Sequence, residues 1–277
     1  MNKPLPFRIR TFLVPLAGVA LYYFVQMISI SLISPFFKGQ DTITMLSIHY
    51  GTYLTLLSVL MFLSLSIWLF VSKGTRISVK RDIPSRRQWL MTIPIALATL
   101  GIVSLYMVGI QSLATHFPLL NEIMNDYIAN TSLPNTTVGL EAVGYYIGVG
   151  ICIPVIEELI FRGIILGEFL STMRSDIAVI LSALIFGTMH IQPIQIGYAL
   201  VCGLILGYVY LYSNSIFLSI IIHIIFNLLG GIFPVVFADN QSFLNTIAVI
   251  EIFFVFGGVM CILYLRNSYR KKTAQGG

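Results

Sequence analysis

Apolar runs of about 20 residues recur along the whole chain, each long enough to cross the roughly 30 Å hydrocarbon core of a bilayer. Hydropathy places eight of them, at residues 11–37, 47–71, 88–110, 138–161, 177–191, 194–212, 216–237 and 243–265, with ends fixed to about 2 to 4 residues. The predicted fold class is all-α: a polytopic membrane helix bundle of about eight transmembrane helices. No stretch between the runs is large enough for a separate soluble domain, so the chain reads as one integral membrane domain. Composition agrees. Of the 277 residues 57% are hydrophobic and only 10% charged, where a soluble domain carries roughly 25% charged residues, and mean hydropathy is +0.90.

Charge then orients the bundle. Lys3, Arg8 and Arg10 precede the first run, which is too long for the h-region of a signal peptide and is read as a retained span. The loop between the second and third runs carries Lys73, Arg76, Lys80, Arg81, Arg86 and Arg87. Such a loop stays cytoplasmic, and with eight spans both termini are then cytoplasmic too. Fifteen of the 16 Lys and Arg fall on the inner side, the rest being Arg162, Arg174, Arg266, Arg270, Lys271 and Lys272, and Lys38 alone lies outside. The net charge of +5 is accounted for by anchoring at a surface of anionic lipids, with no call for nucleic acid. Cys152, Cys202 and Cys261 lie in apolar runs without paired spacing, which reads as small packing residues rather than a disulfide framework or a thiolate metal site.

Against this background the ionisable residues inside the spans are candidate functional groups, because each costs at least a few kcal/mol in hydrocarbon. The fourth span holds Glu141, then Glu157, Glu158 and Arg162 in the stretch IEELIFRG; the fifth ends in FGTMH with His190; the seventh contains HIIFN with His223 and Asn227; Glu251 stands alone in the eighth. Glu158 and Arg162, at i and i+4, can pair on one helix face, which leaves Glu157, about 100° away, free for chemistry. Pro154 cannot donate a backbone hydrogen bond, so it frees the Gly150 carbonyl and loosens the helix where the carboxylates begin. Ala183 and Ser219 are expected to line a wet cavity there. At about 1.5 Å per residue, His190 lies about 20 Å and His223 about 12 Å from the cytoplasmic ends of their spans, and Glu157 matches them if its helix runs on toward Thr172. A carboxylate able to take a proton from water and return it to a leaving amine, an imidazole to orient that water, and an imidazole with an amide to bind an oxyanion together imply amide hydrolysis.

The three motifs carry a resemblance. Glu-Glu-x-x-x-Arg at Glu157, Glu158 and Arg162, Phe-x-x-x-His at Phe186 and His190, and His-x-x-x-Asn at His223 and Asn227 follow one another in successive spans. In this the chain resembles the CAAX-processing and bacteriocin-processing intramembrane endopeptidases, also called the Abi family and similar to the type II CAAX prenyl endopeptidases. The resemblance implies that Glu157 and His190 activate the hydrolytic water, that His223 and Asn227 form the oxyanion hole, and that Glu158, Arg162 and Phe186 support them. It covers about residues 138–237, the implied protease core, leaving 1–137 without a recognised motif and 238–277 as the last span and basic tail. It also leaves two catalytic chemistries open. One is a glutamate mechanism without cofactor, favoured by the His-Asn pairing and the absence of HExxH; the other uses Zn²⁺ held by Glu157, Glu158, His190 and His223. The implied partners are membrane lipids and a membrane-associated peptide or protein tail, and the short loops point to a bacterial cell membrane. Two readings of other classes stand beside the protease: a non-catalytic membrane binding or bacteriocin-immunity protein, and a proton-coupled transporter, for which the chain lacks an inverted repeat.

Overall fold

A computed structural model describes residues 9–37, 39–71, 79–131 and 139–275. Lys3, Arg8, Lys38, Lys73 and Arg76, part of the charge reading above, lie outside the described residues. The described residues are helical almost throughout, and among them the one contact of strand type is an isolated antiparallel bridge between Arg81 and Ser215. Six helical stretches are long and apolar enough to cross a membrane: Arg10–Phe36, Tyr50–Trp68, Arg86–Ala114, Pro193–Ser213, Ile216–Val236 and Gln241–Gln275.

The helices in chain order are α1 (Arg10–Ile33), α2 (Thr42–Ile48), α3 (Tyr50–Val71), α4 (Arg86–Leu90), α5 (Thr92–Ala114), α6 (Pro118–Thr131), α7 (Leu140–Ile147), α8 (Ile153–Glu158), α9 (Gly167–Thr172), α10 (Ser175–Thr188), α11 (Pro193–Ser213), α12 (Ile216–Asn227), α13 (Phe233–Val236) and α14 (Gln241–Gln275). Three π-helical stretches, Gly148–Cys152, Leu159–Leu166 and Leu228–Ile232, join neighbouring helices without a break. The fourth hydropathy run is thus one rod from α7 through α9, roughly 50 Å long at 1.5 Å per residue. It extends to Thr172, well beyond the residue 161 at which hydropathy ended it, because Arg162 and Glu168 depress the apolar signal while the helix continues.

Local chemistry fixes the ends. Ser85 and Gln88 form a capping box at the start of α4: the Ser85 Oγ accepts from the Gln88 N–H at 3.3 Å, and the Gln88 Oε1 accepts from the Ser85 N–H at 2.8 Å. Asn214 closes α11 in the left-handed conformation at φ 59°, which its short polar side chain tolerates. Helix α6 lies in what hydropathy left as a loop; its sequence PLLNEIMNDYIANT mixes polar and apolar positions and falls short of a span.

The rod is the centre of the bundle. Its apolar faces, with Ile156, Ile160, Phe161, Ile164 and Ile165, belong to one core with residues of α1, α3, α10 and α11. A smaller core joins Ile95 and Ala96 of α5 to Leu218 and Ile222 of α12 and Leu265 of α14. Helices α5 and α14 meet backbone to backbone, and a Cβ at Gly101 would run into the Glu251 carbonyl, one at Gly258 into Ala98. Close approach through small residues is how membrane helices gain packing energy when lipid is as apolar as they are.

Candidate active site

The rod carries Glu157 and Glu158 on the last turn of α8, between two of the π-helical stretches. A π-turn takes in an extra residue and shifts the register of everything after it, a distortion that recurs at functional sites. Pro154 explains the first of them. In the π register the Ile153 N–H reaches the Gly148 carbonyl, five residues back, so the carbonyl left without a donor by Pro154 is that of Val149. Asn227 fills that vacancy, its Nδ2 donating to the Val149 oxygen at 2.9 Å and so tying α12 to the rod at the weak point the proline creates.

Glu158 is fully buried, and its Oε1 lies 2.8 Å from the Arg162 Nη1 and 2.8 Å from the His223 Nδ1. The i, i+4 pair expected from sequence is therefore formed. Arg162, also buried, donates from Nη2 to the Gly203 carbonyl of α11 at 3.3 Å and sets its guanidinium 4.8 Å from the Phe186 ring centre. The crossing is tight at Gly203, where a Cβ would come within 3.1 to 3.2 Å of Ala183 and Phe186. Glu157 is the less enclosed carboxylate, its side chain 11% exposed against 0% for Glu158, and its Oε2 stands 3.6 Å from the His223 Nε2.

His223 thus bridges the two carboxylates. Its Nδ1 faces an oxygen that is ion-paired to Arg162 and can only accept, which assigns the proton to Nδ1. With Nδ1–H fixed on Glu158, the Nε2 faces the Glu157 Oε2 at 3.6 Å, which sets a second ionisable group beside the less enclosed carboxylate.

His190 follows the end of α10, where Pro193 opens α11. Its Nδ1 lies 2.9 Å from the Phe186 carbonyl, so that nitrogen carries the proton and Nε2 is left as an acceptor. The turn is strained: the next residue, Ile191, is β-branched yet sits at φ 65°. Phe186 is the common wall, with the His190 ring 4.9 Å and the His223 ring 6.0 Å from its centre, both edge to face. The structure therefore joins Glu157, Glu158, Arg162 and His223 directly, places His190 beside them across Phe186, and brings Asn227 in through Val149.

Two expectations change. Ala183 and Ser219 do not line an open cavity: both are packed, Ala183 against Gly203 at the crossing of α10 and α11 and Ser219 with its hydroxyl on the Ile216 carbonyl at 3.0 Å. The alternative zinc ligands Glu157, Glu158, His190 and His223 are not assembled as a metal site, since among the described residues no group of three or more His, Cys, Asp or Glu is arranged to hold an ion. The physical reason is the guanidinium: Glu158 Oε1 already serves Arg162 and His223, and a cation there would stand beside a buried positive charge. Outside the motifs, Glu168 pairs with Arg10 of α1 at 3.0 Å, a contact between residues far apart in sequence that no local pattern announces.

The family model described as type II CAAX prenyl endopeptidase Rce1-like matches residues 139–229. That part of the chain is a CAAX-protease-family domain, and it contains every residue of the cluster just described. No curated protein and no solved structure matches the chain.

Proposed function

We propose that the protein is an intramembrane endopeptidase that hydrolyses a peptide bond in a membrane-associated peptide or protein tail. The observation that carries this reading is the buried Glu157–His223–Glu158–Arg162 chain, in which one carboxylate is locked by an arginine and the other is left partly accessible beside an imidazole. Glu157 takes a proton from the attacking water, which His190 orients through its free Nε2. As the tetrahedral intermediate forms, His223 donates from Nε2 to the oxyanion while Glu158 holds its Nδ1–H, and Asn227 adds its second amide hydrogen. Glu157 then returns its proton to the leaving amine, so protons balance over the cycle. Arg162 keeps Glu158 ionised throughout, and Phe186 spaces the two imidazoles.

The six long apolar helices, the shorter apolar helix α10 and the α7–α9 rod support an eight-span bundle. We place both termini on the cytoplasmic side and take residues 138–237 as the protease core, in a bacterial cell membrane. The test is peptide analysis by mass spectrometry of membranes from cells with the wild type and with Glu157→Gln at matched protein levels. Peptides with new C-termini that depend on the wild type support hydrolysis. Identical peptide sets with an unchanged cellular phenotype would assign the protein a binding or immunity role instead.

A further inference from the structure

The far end of the rod, the end of α11 and the segment 79–82 enclose a cavity of about 380 Å³. Its walls include Lys80, Arg81 and Asp82 of the segment, Ser171 of the rod, and Tyr210 and Asn214 of α11. Ser171 is roughly 20 Å along the rod from Glu157, at 1.5 Å per residue, so the cavity is separate from the carboxylate cluster. It lies where one span ends at Ser213 and the next begins at Ile216, at the edge of the membrane. Backbone contacts hold the segment in place. The Lys80 carbonyl accepts from the Ile216 N–H at 2.9 Å, the Asp82 N–H donates to the Asn214 carbonyl at 3.3 Å, and Arg81 bridges Ser215. The Asp82 Oδ2 accepts from the Asn214 Nδ2 at 2.6 Å, so the carboxylate in the wall is engaged. The cations are not. The partly buried Lys80 Nζ donates to the Leu211 carbonyl at 3.4 Å and stands 5.7 Å from the ring centres of Tyr210 and Tyr269. Among the described residues no carboxylate pairs with Lys80 or with the exposed Arg81. Tyr210 is buried; its hydroxyl accepts from the Lys80 N–H at 3.0 Å, and among the described residues no acceptor takes its own hydrogen.

We propose that this cavity binds an anionic phosphate group, with Lys80 and Arg81 supplying positive charge and the Tyr210 hydroxyl a hydrogen bond. A phosphate presents several acceptor oxygens to these donors at once, and hydrogen bonds between ionised partners are the strong ones. Burial lowers the Lys80 ammonium to about 8, which leaves it mostly charged at pH 7, and a partly buried charge without a counter-ion is costly until an anion joins it. The volume falls in the range of small-molecule sites, roughly 300 to 1,000 Å³, and so has room for a headgroup around the phosphate. The membrane edge on the side we place in the cytoplasm is where the phosphates of anionic lipids lie, and basic pockets between membrane helices take such headgroups. The bound group ties together the segment 79–82, the end of the rod and the turn into α12, the helix that carries His223 and Asn227. The proposal is independent of the protease reading.

The test uses full-length protein freed of native lipid in a neutral detergent and melted at pH 7 with increasing phosphatidylglycerol, phosphatidylcholine or inorganic phosphate. A ligand that binds only the folded state raises the melting temperature as its concentration rises. Phosphatidylglycerol should raise it well beyond phosphatidylcholine, which carries no net charge. A matching rise with inorganic phosphate makes the free ion a sufficient ligand, and no rise with it assigns the lipid headgroup; both results support the site. Each of K80M and R81Q should weaken the binding about tenfold or more, the worth of one hydrogen bond to a charged group. Each variant is read against its own melting temperature without ligand, so a change in stability does not mask the result, and the exposed position of Arg81 leaves the fold of R81Q intact. K272M, on the basic tail outside the cavity, should bind as wild type does. No rise with either phosphate, binding that survives in both K80M and R81Q, or an equal loss in K272M overturns the proposal.

Discussion

Replacing Arg162 by methionine removes the charge that holds Glu158 in the membrane interior while keeping most of the side-chain length. Three contacts go: the 2.8 Å ion pair with Glu158, the 3.3 Å hydrogen bond to the Gly203 carbonyl, and the guanidinium face 4.8 Å from the Phe186 ring. Because Glu158 is wholly enclosed, it cannot recover hydration, and breaking one side of a buried pair costs about 3–5 kcal/mol. For a chain of this size roughly 2–4 °C of melting temperature go with each kcal/mol, so R162M should melt roughly 10 °C below wild type. The double variant E158Q/R162M removes both charges and should lie within about 2 kcal/mol of wild type, since a buried pair is often replaceable when both partners go together. The assay is thermal unfolding in detergent followed by a thiol-reactive fluorogenic dye, for which buried Cys202 is the reporter. If R162M melts with wild type, or if the double variant is no more stable than R162M, the ion pair is not the buried clamp described here.

Asn227→Ala removes both the cap on the Val149 carbonyl and an oxyanion donor, so kcat should fall by about 10² to 10³ and stability by about 1 kcal/mol; loss of stability with full activity would leave Asn227 a purely structural role. Ile191→Gly relieves a positive φ at an exposed side chain and should leave stability equal to wild type or up to about 1 kcal/mol higher, read from the melting temperature; a fall of that size would mean the turn is unstrained. Burial lowers the Lys80 ammonium from its usual 10.5 to about 8. The folded state therefore binds fewer protons than the unfolded chain between those values, so this residue's destabilising contribution, at most about 3 kcal/mol, is full below pH 8 and fades as pH rises toward 10.5. Lys80→Met should accordingly melt higher than wild type at pH 7 and show less gain between pH 8 and 10; parallel pH profiles would contradict this. Exhaustive chelation of the purified protein should leave hydrolysis intact, and activity that returns in proportion to added Zn²⁺ would overturn the glutamate mechanism.

Much of this was legible in the sequence for physical reasons that differ by element. Apolar runs mark spans because hydrocarbon excludes polar groups, and the i, i+4 spacing of Glu158 and Arg162 fixes their pairing whatever the surroundings. The rod's extension to Thr172 was hidden because hydropathy averages over the very charges that make the site. Helix α6 was hidden because its mixed sequence gives no membrane signal. The largest difference concerns His223, which its spacing linked to Asn227 alone; its bridge between Glu157 and Glu158 joins residues more than sixty apart, and a single sequence carries no trace of such a contact. The π-helical turn before Pro154, and the hydrogen bond from Asn227 to the Val149 carbonyl within it, likewise depend on packing between helices.

The central claim is that Glu157 is the base of a peptide hydrolysis inside the membrane. Purified wild type and E157Q, reconstituted into lipid vesicles at equal amounts, are incubated with membrane peptides in water enriched in ¹⁸O, and the new C-termini are read by mass spectrometry. Glutamine keeps the shape of the side chain and removes its basicity, so the account predicts ¹⁸O-labelled C-termini with the wild type and their near-complete loss with E157Q. Equal labelling by the two proteins would contradict it.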